Sequence, residues 1–447
     1  MNSKKFLEDF REDFPSLKRR HNGNPPIYLD NACTTLVPSQ VISSIMEYYR
    51  KYPSCSGKRS RHWFADEVAS RIEGNSDKGM KGSRQIIAEF INAKSDQEIA
   101  FTLNTTHAIN IVALGFKFQL GDIILLTDKE HNSNLVPWLR LQQKGLVTVD
   151  YATQNHEDFD LKGFEEKLKN QAVRFVSMAY TSNITGYTIP AKEIIEIAHK
   201  YGARVLLDGA QMVPHKTVDV QDLDVDFLAF SMHKMCGPRG VGVLYGKKEL
   251  MGWNQSGEKG TIGDEVEPAI LGGGTVGDTT YHSYSLLEMP DRFEAGTHNY
   301  PGQIASGAAI QYLQRIGMDR INEHETILNR FLTEESLSRY GSTEWFRILG
   351  PRDVKKRGGI LTFEVRRPNA VRIAEELSKK NNIMIRDGAF CAHSYFNNEF
   401  GEGWTRSASH SDHRMVYRVS FYLYNTIEEC RIFLETLDDI FKERSYI

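Results

Sequence analysis

Between about Ala100 and Gly246, short apolar runs alternate with stretches of helical period, and this constrains the fold more than any other feature of the chain. Such alternation is the signature of β-α units wrapped around a mostly parallel sheet. Strands are expected at Ile123–Thr127 and Val173–Ala179. A helix is expected from Pro190, as a first-turn proline, through Ile194, Ile195 and Ala198 to a stop at Gly202. Further strands are expected at residues 203–207, running into Asp208, at 225–230, just before Ser231 and His233, and at 240–245.

After about residue 310 the texture changes. A long helix over residues 305–330 leads into a smaller α+β unit, with strands at 359–365 and 416–422 and a helix at 369–381. The last helix opens at Thr426 with Glu429 three residues on, a capping box, and Cys430, Leu434, Leu437 and Phe441 share its apolar face. Cys430 therefore reads as core packing. A chain of 447 residues exceeds one ordinary core. The expected division is an N-terminal arm (1–30) joining the small domain, a large domain (31–310) and a small domain (311–447).

Composition removes several classes of function. Apolar residues make up 40% and charged residues 25%, as in soluble globular proteins, and a net charge of −3 offers no nucleic-acid face. The cluster Lys18, Arg19, Arg20, His21 follows Glu8, Asp9, Glu12 and Asp13 and reads as the solvated face of an N-terminal helix. No apolar run approaches membrane-spanning length, and the acidic N-terminus lacks the apolar core of a secretory signal. A cytoplasmic protein is expected, in which the sequons at Asn104 and Asn183 carry no glycosylation meaning. Cys33, Cys55, Cys236, Cys391 and Cys430 lie far apart with no Cys-x-x-Cys, which argues against a zinc site and a disulfide framework. One reactive thiol among structural ones remains open.

In an open α/β sheet, functional residues gather beyond the carboxyl ends of the strands. Two such ends are dense in polar groups: Asp208-Gly209-Ala210-Gln211 and Ser231-Met232-His233-Lys234. Taken singly, an aspartate there is commonly a cap and a lysine commonly a solvated residue. Together they are what pyridoxal phosphate needs: a lysine for the Schiff base, and a carboxylate to hold the pyridinium nitrogen so that the ring acts as an electron sink.

With these residues in place, the chain resembles the class V, fold-type I pyridoxal-phosphate enzymes, most of all the cysteine desulfurase and selenocysteine lyase branch of the SUF type. The likeness covers nearly the whole chain. It runs in order through Ile27-Tyr28-Leu29-Asp30-Asn31-Ala32, residues 104–110, residues 130–138, Ser182-Asn183-Ile184-Thr185-Gly186, the Asp208 and Lys234 segments, and Arg292-Phe293-Glu294-Ala295-Gly296-Thr297. The resemblance implies a large domain with a mostly parallel seven-stranded sheet. Thr105, Thr106, Ser231 and His233 would cradle the cofactor phosphate, with Thr297 contributed by the neighbouring subunit of a homodimer. His131 would stack on the ring, Asp208 would bind its nitrogen, and Asn183 and Gln211 would tune its phenolic oxygen.

The resemblance also places the reacting thiol. Cys391, in Arg386-Asp387-Gly388-Ala389-Phe390-Cys391-Ala392-His393, matches the persulfide-forming cysteine, with Arg386 or His393 to favour its thiolate. Arg418 matches the arginine that clamps the substrate carboxylate, and Arg386 and Asn183 are further substrate contacts. The implied reaction is desulfuration of L-cysteine to alanine, with persulfide on Cys391 passed to an acceptor, which a protein could be. The alternative is a lyase acting by β-elimination on selenocysteine or another thio-amino acid, without need of Cys391. Three departures bear on substrate: an insert at residues 397–414, Ala389 and Phe390 where histidines are usual, and Thr275-Val276-Gly277-Asp278 followed by Tyr281-His282-Ser283-Tyr284 after Gly272-Gly273-Gly274.

Overall fold

In the computed structural model, residues 10–56, 60–153, 158–252, 265–407 and 414–447 are described. In chain order the strands are β1 (Ile27–Tyr28), β2 (Ile99–Thr102), β3 (Ile123–Thr127), β4 (Thr148–Ala152), β5 (Val173–Ala179), β6 (Arg204–Asp208), β7 (Phe227–Ser231) and β8 (Gly242–Gly246). Strands β2 to β8 form one sheet in the order β2-β8-β7-β6-β5-β3-β4. Only β8 runs against its neighbours. Helices cover both faces, so the central strands are buried along their whole length: every residue of β7 and β8 is inside. That is why these strands read as continuous apolar runs.

The sequence-based strands lie within two residues of those observed, but four expectations about helices need correction. The helix after Pro190 spans Ala191–Lys200, and Pro190 stands outside it as the cap. The single long helix is two, Tyr300–Ile316 and Met318–Tyr340. They break at Gly317, whose φ of 97° interrupts the ladder while the apolar period runs on through it. The helix placed at 369–381 begins only at Ile373, after Asn369 in the left-handed region and a 3-10 turn at Ala370–Arg372. The basic cluster near the N-terminus lies on and after a 3-10 turn, Pro15–Lys18, not on a helix face, because Phe14 and Leu17 turn into the core. Glu8 and Asp9 lie outside the described residues.

Beyond the sheet come a hairpin, β9 (Val276–Thr279) with β10 (Tyr284–Leu286), then β11 (Phe346–Leu349), β12 (Ile360–Val365), β13 (Ile383–Met384), β14 (Arg386–Asp387) and β15 (Met415–Ser420). The order β11-β12-β15-β14 makes an antiparallel sheet. The chain's beginning joins it: β1 pairs with β13 in parallel, and Ser420 N–H donates to the carbonyl of Leu29 at 2.8 Å. Ile27 and Leu29 sit in the same core as Phe363, Tyr417, Cys430 and Leu434. The last helix, Ile427–Glu443, has the capping box of Thr426 and Glu429. No helix among the described residues is long and apolar enough to cross a membrane.

Candidate active site

The site residues collect where parallel strands end. Past β3 comes His131, past β5 Asn183, at the end of β6 Asp208, and past β7 Lys234. Lys234 makes no side-chain hydrogen bond, and burial, opposed by Asp208, pulls its ammonium below the ordinary range. A lysine that gives up its proton readily is the form that condenses with an aldehyde. Asp208 is 5% exposed and takes the amide hydrogen of Ala210 at 3.0 Å on one oxygen. Burial raises its pKa, opposed by the Ala210 amide hydrogen bond and then by the Lys234 charge.

His131 caps the helix Asn132–Gln143, its Nδ1 accepting the Ser133 amide hydrogen at 3.0 Å. Burial, reinforced by Lys234 and Arg418, holds it neutral down to about 3. The phosphate-side residues cluster at the start of the helix Thr105–Gly115. Ser231 Oγ accepts the Thr105 amide hydrogen at 2.8 Å and lies 2.6 Å from its hydroxyl, while the Thr106 hydroxyl meets Ser133 at 2.7 Å. Free N–H groups at a helix start form an anion site. Gly242 permits this junction: a Cβ there would stand 2.5 Å from the Asn104 backbone. The His233 ring is kept neutral to about 4, chiefly by burial, and its carbonyl holds Thr34 and Thr35.

Arg418 is 3% exposed. Its guanidinium donates to the Asn183 carbonyl at 3.1 Å, pairs with Asp30 at 3.3 Å, and lies 4.9 Å over the Phe390 ring. Its Nε is buried without a partner. The Asn183 side chain donates to the Phe390 carbonyl at 2.8 Å, and Gln211 donates to the Ala32 carbonyl at 2.7 Å, leaving Gln211 Oε1 buried and unpartnered. Cys391 is exposed. Its carbonyl accepts the Asn132 amide hydrogen at 2.7 Å, and the Asn132 side chain donates to His393 Nδ1 at 2.8 Å. Arg386, half exposed, donates to Cys33 Sγ at 3.5 Å.

One structure thus brings together Thr105, Thr106, His131, Asn183, Asp208, Gln211, Ser231, His233, Lys234, Cys391, Arg418 and Arg386. Thr297 stands apart: it is exposed, on the loop before the helix Tyr300–Ile316, and makes no hydrogen bond with Thr105, Thr106, Ser231 or His233. Sequence reasoning missed Asp30, Asn132 and Cys33. Cys236 and Cys430 are buried with thiols pushed up by burial, as packing residues should be. No cluster of metal-ligating side chains occurs among the described residues.

The donor set fits pyridoxal phosphate. An amine with a depressed pKa, a buried carboxylate with one free oxygen, an anion-binding helix start and a neutral imidazole converge, and the orphaned Gln211 Oε1 and Arg418 Nε face no partner of the chain's own. Fold and site together define a fold-type I pyridoxal-phosphate enzyme. Residues 27–433 match the family model for class-V aminotransferases. The chain belongs to that family, within its cysteine desulfurase branch. It is 36% identical to a probable cysteine desulfurase of Pyrococcus abyssi over 97% of this chain and 98% of that one. It is 35% identical to one from Halalkalibacterium halodurans over 94% of each. An apo cysteine desulfurase structure from Thermococcus onnurineus is 34% identical, superposes with a TM-score of 0.84, and covers 98% of both chains.

Proposed function

We propose that this chain desulfurates L-cysteine: L-cysteine and the Cys391 thiol give L-alanine and a persulfide on Cys391, which is then passed to an acceptor. The observation that carries the reading is the placement of Cys391, exposed to solvent with its carbonyl held at 2.7 Å by the amide of Asn132, the residue next to His131. Bound pyridoxal phosphate supplies the electron sink that loosens the carbon–sulfur bond. Arg418 holds the substrate carboxylate by its guanidinium fork, with Asn183 fixing that fork through its carbonyl. Lys234 would hold the cofactor through Nζ, and its buried amine, with its depressed pKa, is suited to moving a proton there. His131, with Nδ1 accepting the Ser133 amide hydrogen, carries its one proton on Nε2 and presents that nitrogen as a neutral hydrogen-bond donor. The Cys391 thiolate attacks the substrate sulfur, so one sulfur–sulfur bond forms as one carbon–sulfur bond breaks.

The same reading includes the division into an arm, a large domain (31–310) and a small domain (311–447). It includes a cytoplasmic homodimer in which Thr297 completes the partner's phosphate cradle, and a protein acceptor for the sulfur. The test is product analysis on wild type and Cys391→Ala with L-cysteine and a reductant. Equal yields of sulfide and alanine, lost on substitution while the cofactor's visible absorbance stays, support it. Pyruvate and ammonia, or full activity without Cys391, overturn it in favour of a carbon–sulfur or selenocysteine lyase.

A further inference from the structure

Three charges meet beside Arg418, and they arrive on three neighbouring strands. Arg386 on β14 and Arg418 on β15 are cross-strand partners, and Asp30 follows β1 and bridges to Ser420 at the end of β15. Two cations directly opposite one another across a strand pair repel. Asp30 lies between them, its Oδ1 3.3 Å from Arg418 and its Oδ2 3.9 Å from Arg386. The pairing with Arg418 is incomplete. A guanidinium fork binds a carboxylate by two parallel bonds, yet Arg418 gives Asp30 only one and leaves its buried Nε unpartnered. The fork is held ready but not satisfied. The two arginines and one aspartate sum to a single positive charge, which matches one carboxylate.

We propose that Asp30 is a positioning residue, a resident counter-ion that holds Arg418 while the site is empty, yields it to the carboxylate of an α-amino acid, and passes to Arg386. This rests on the reading of Arg418 as the substrate-carboxylate clamp. The exchange reaches the sulfur chemistry through the chain itself: Arg386 is half exposed and donates to Cys33 Sγ at 3.5 Å, and Cys391 lies five residues beyond it, past the end of β14. Arrival of a carboxylate therefore draws Arg386 inward and shifts the segment that carries the thiol. An amine lacking a carboxylate leaves Asp30 on Arg418 and the loop where it was.

The experiment measures L-alanine binding to the cofactor-loaded enzyme by the change in visible absorbance, with ethylamine as the carboxylate-free control. Asp30→Asn removes the competitor and tightens L-alanine about tenfold, leaving ethylamine unchanged. Asp30→Glu keeps the charge and restores wild-type affinity. Arg386→Gln, at an exposed position that the fold tolerates, weakens L-alanine about fivefold, and does so only while Asp30 is present. For L-cysteine the Asp30→Asn effect falls on KM, with kcat moving in the opposite sense if the loop shift is lost. L-alanine affinity unchanged or weaker in Asp30→Asn, or an Arg386→Gln effect of the same size in both backgrounds, overturns the proposal. Arg418→Gln separates the two levels. If it leaves L-alanine affinity intact, the clamp reading itself fails. If it abolishes binding while Asp30→Asn matches wild type, only the counter-ion role fails.

Discussion

Phe390 and Cys391 both sit in the left-handed backbone region, with φ of 46° and 58°, and neither is glycine. Each such residue costs about 1–2 kcal/mol, so the pair holds about 2–4 kcal/mol of strain. Two bonds to segments that follow strands of the seven-stranded sheet oppose it: the Asn132 amide to the Cys391 carbonyl at 2.7 Å, and the Asn183 side chain to the Phe390 carbonyl at 2.8 Å. Asn183→Ala deletes the second and leaves a buried carbonyl bare, a loss of about 1–3 kcal/mol. That is comparable with the strain, so the held geometry loses about 10- to 100-fold in population. The assay is single-turnover persulfide formation on Cys391, read by mass spectrometry with enzyme in excess over L-cysteine. Persulfide formation should slow by about 10- to 100-fold, with the cofactor still bound. A rate within twofold of wild type would refute the argument. So would a fall in cofactor affinity by the same factor as the rate, since the effect would then run through the cofactor and not through the loop.

Two further outcomes follow from buried charge. Arg84 and Glu294 pair at 2.5 Å with side chains 4% and 2% exposed, and Glu294 also takes the Phe101 amide hydrogen at 2.7 Å. Glu294→Ala leaves Arg84 with half-exposed Glu73 and the Ile99 carbonyl and should cost about 3 kcal/mol in urea unfolding; a loss under about 1 kcal/mol would show the pair to be dispensable. Stability should also depend on pH through His131 and His233, held neutral to about 3 and about 4 against an ordinary value of 6.5. The unfolded chain then binds more protons, so stability present above about pH 6.5 is lost as pH falls toward 4. Denaturation midpoints from pH 7.5 to 5 should fall less steeply in His233→Gln, and parallel slopes would count against the buried-neutral assignment.

The sequence was most legible where burial is complete. β3 and β7 lie within helices on both faces, so they read as unbroken apolar runs, and the polar residues that end them stand out. Helix boundaries were less legible, because an apolar stripe continues across a glycine that the backbone uses to break: Ile316 and Ile321 are both buried on either side of Gly317. Asp30 and Asn132 escaped for another reason. Asp30 acts only where β1 is laid beside β15, 388 positions away, and Asn132 only where the Cys391 loop returns to the helix that His131 caps. Local spacing carries no trace of either contact. Cys33 was passed over because nothing near it in sequence marks it, though it faces Arg386 across the same junction.

The insert after Cys391 alters what the thiol loop rests on. Its described part is packed: it continues the helix His393–Phe400, and its Phe400 and Trp404 pack ring to ring with each other and with Phe396 just before it. Residues 408–413 of the insert lie outside the described residues. Phe390 and Ala392 join the same cluster with Ile184 and Val416, so the residues flanking Cys391 share a small core with the insert on one side and the Asn183 loop on the other. Arg414, at the insert's far end, lies 4.8 Å over the Phe400 ring and pairs with buried Glu364 at 2.9 Å. Loop, insert and β15 are therefore one mechanical unit, anchored to the four-stranded sheet through Glu364 and to the segments that follow β3 and β5 through Asn132 and Asn183. A longer segment that is packed in this way confines Cys391 to small shifts of the whole unit. An acceptor must then come to the thiol, and Phe390, which lines the Arg418 side while packing into the insert, ties the shape of the substrate pocket to the same core.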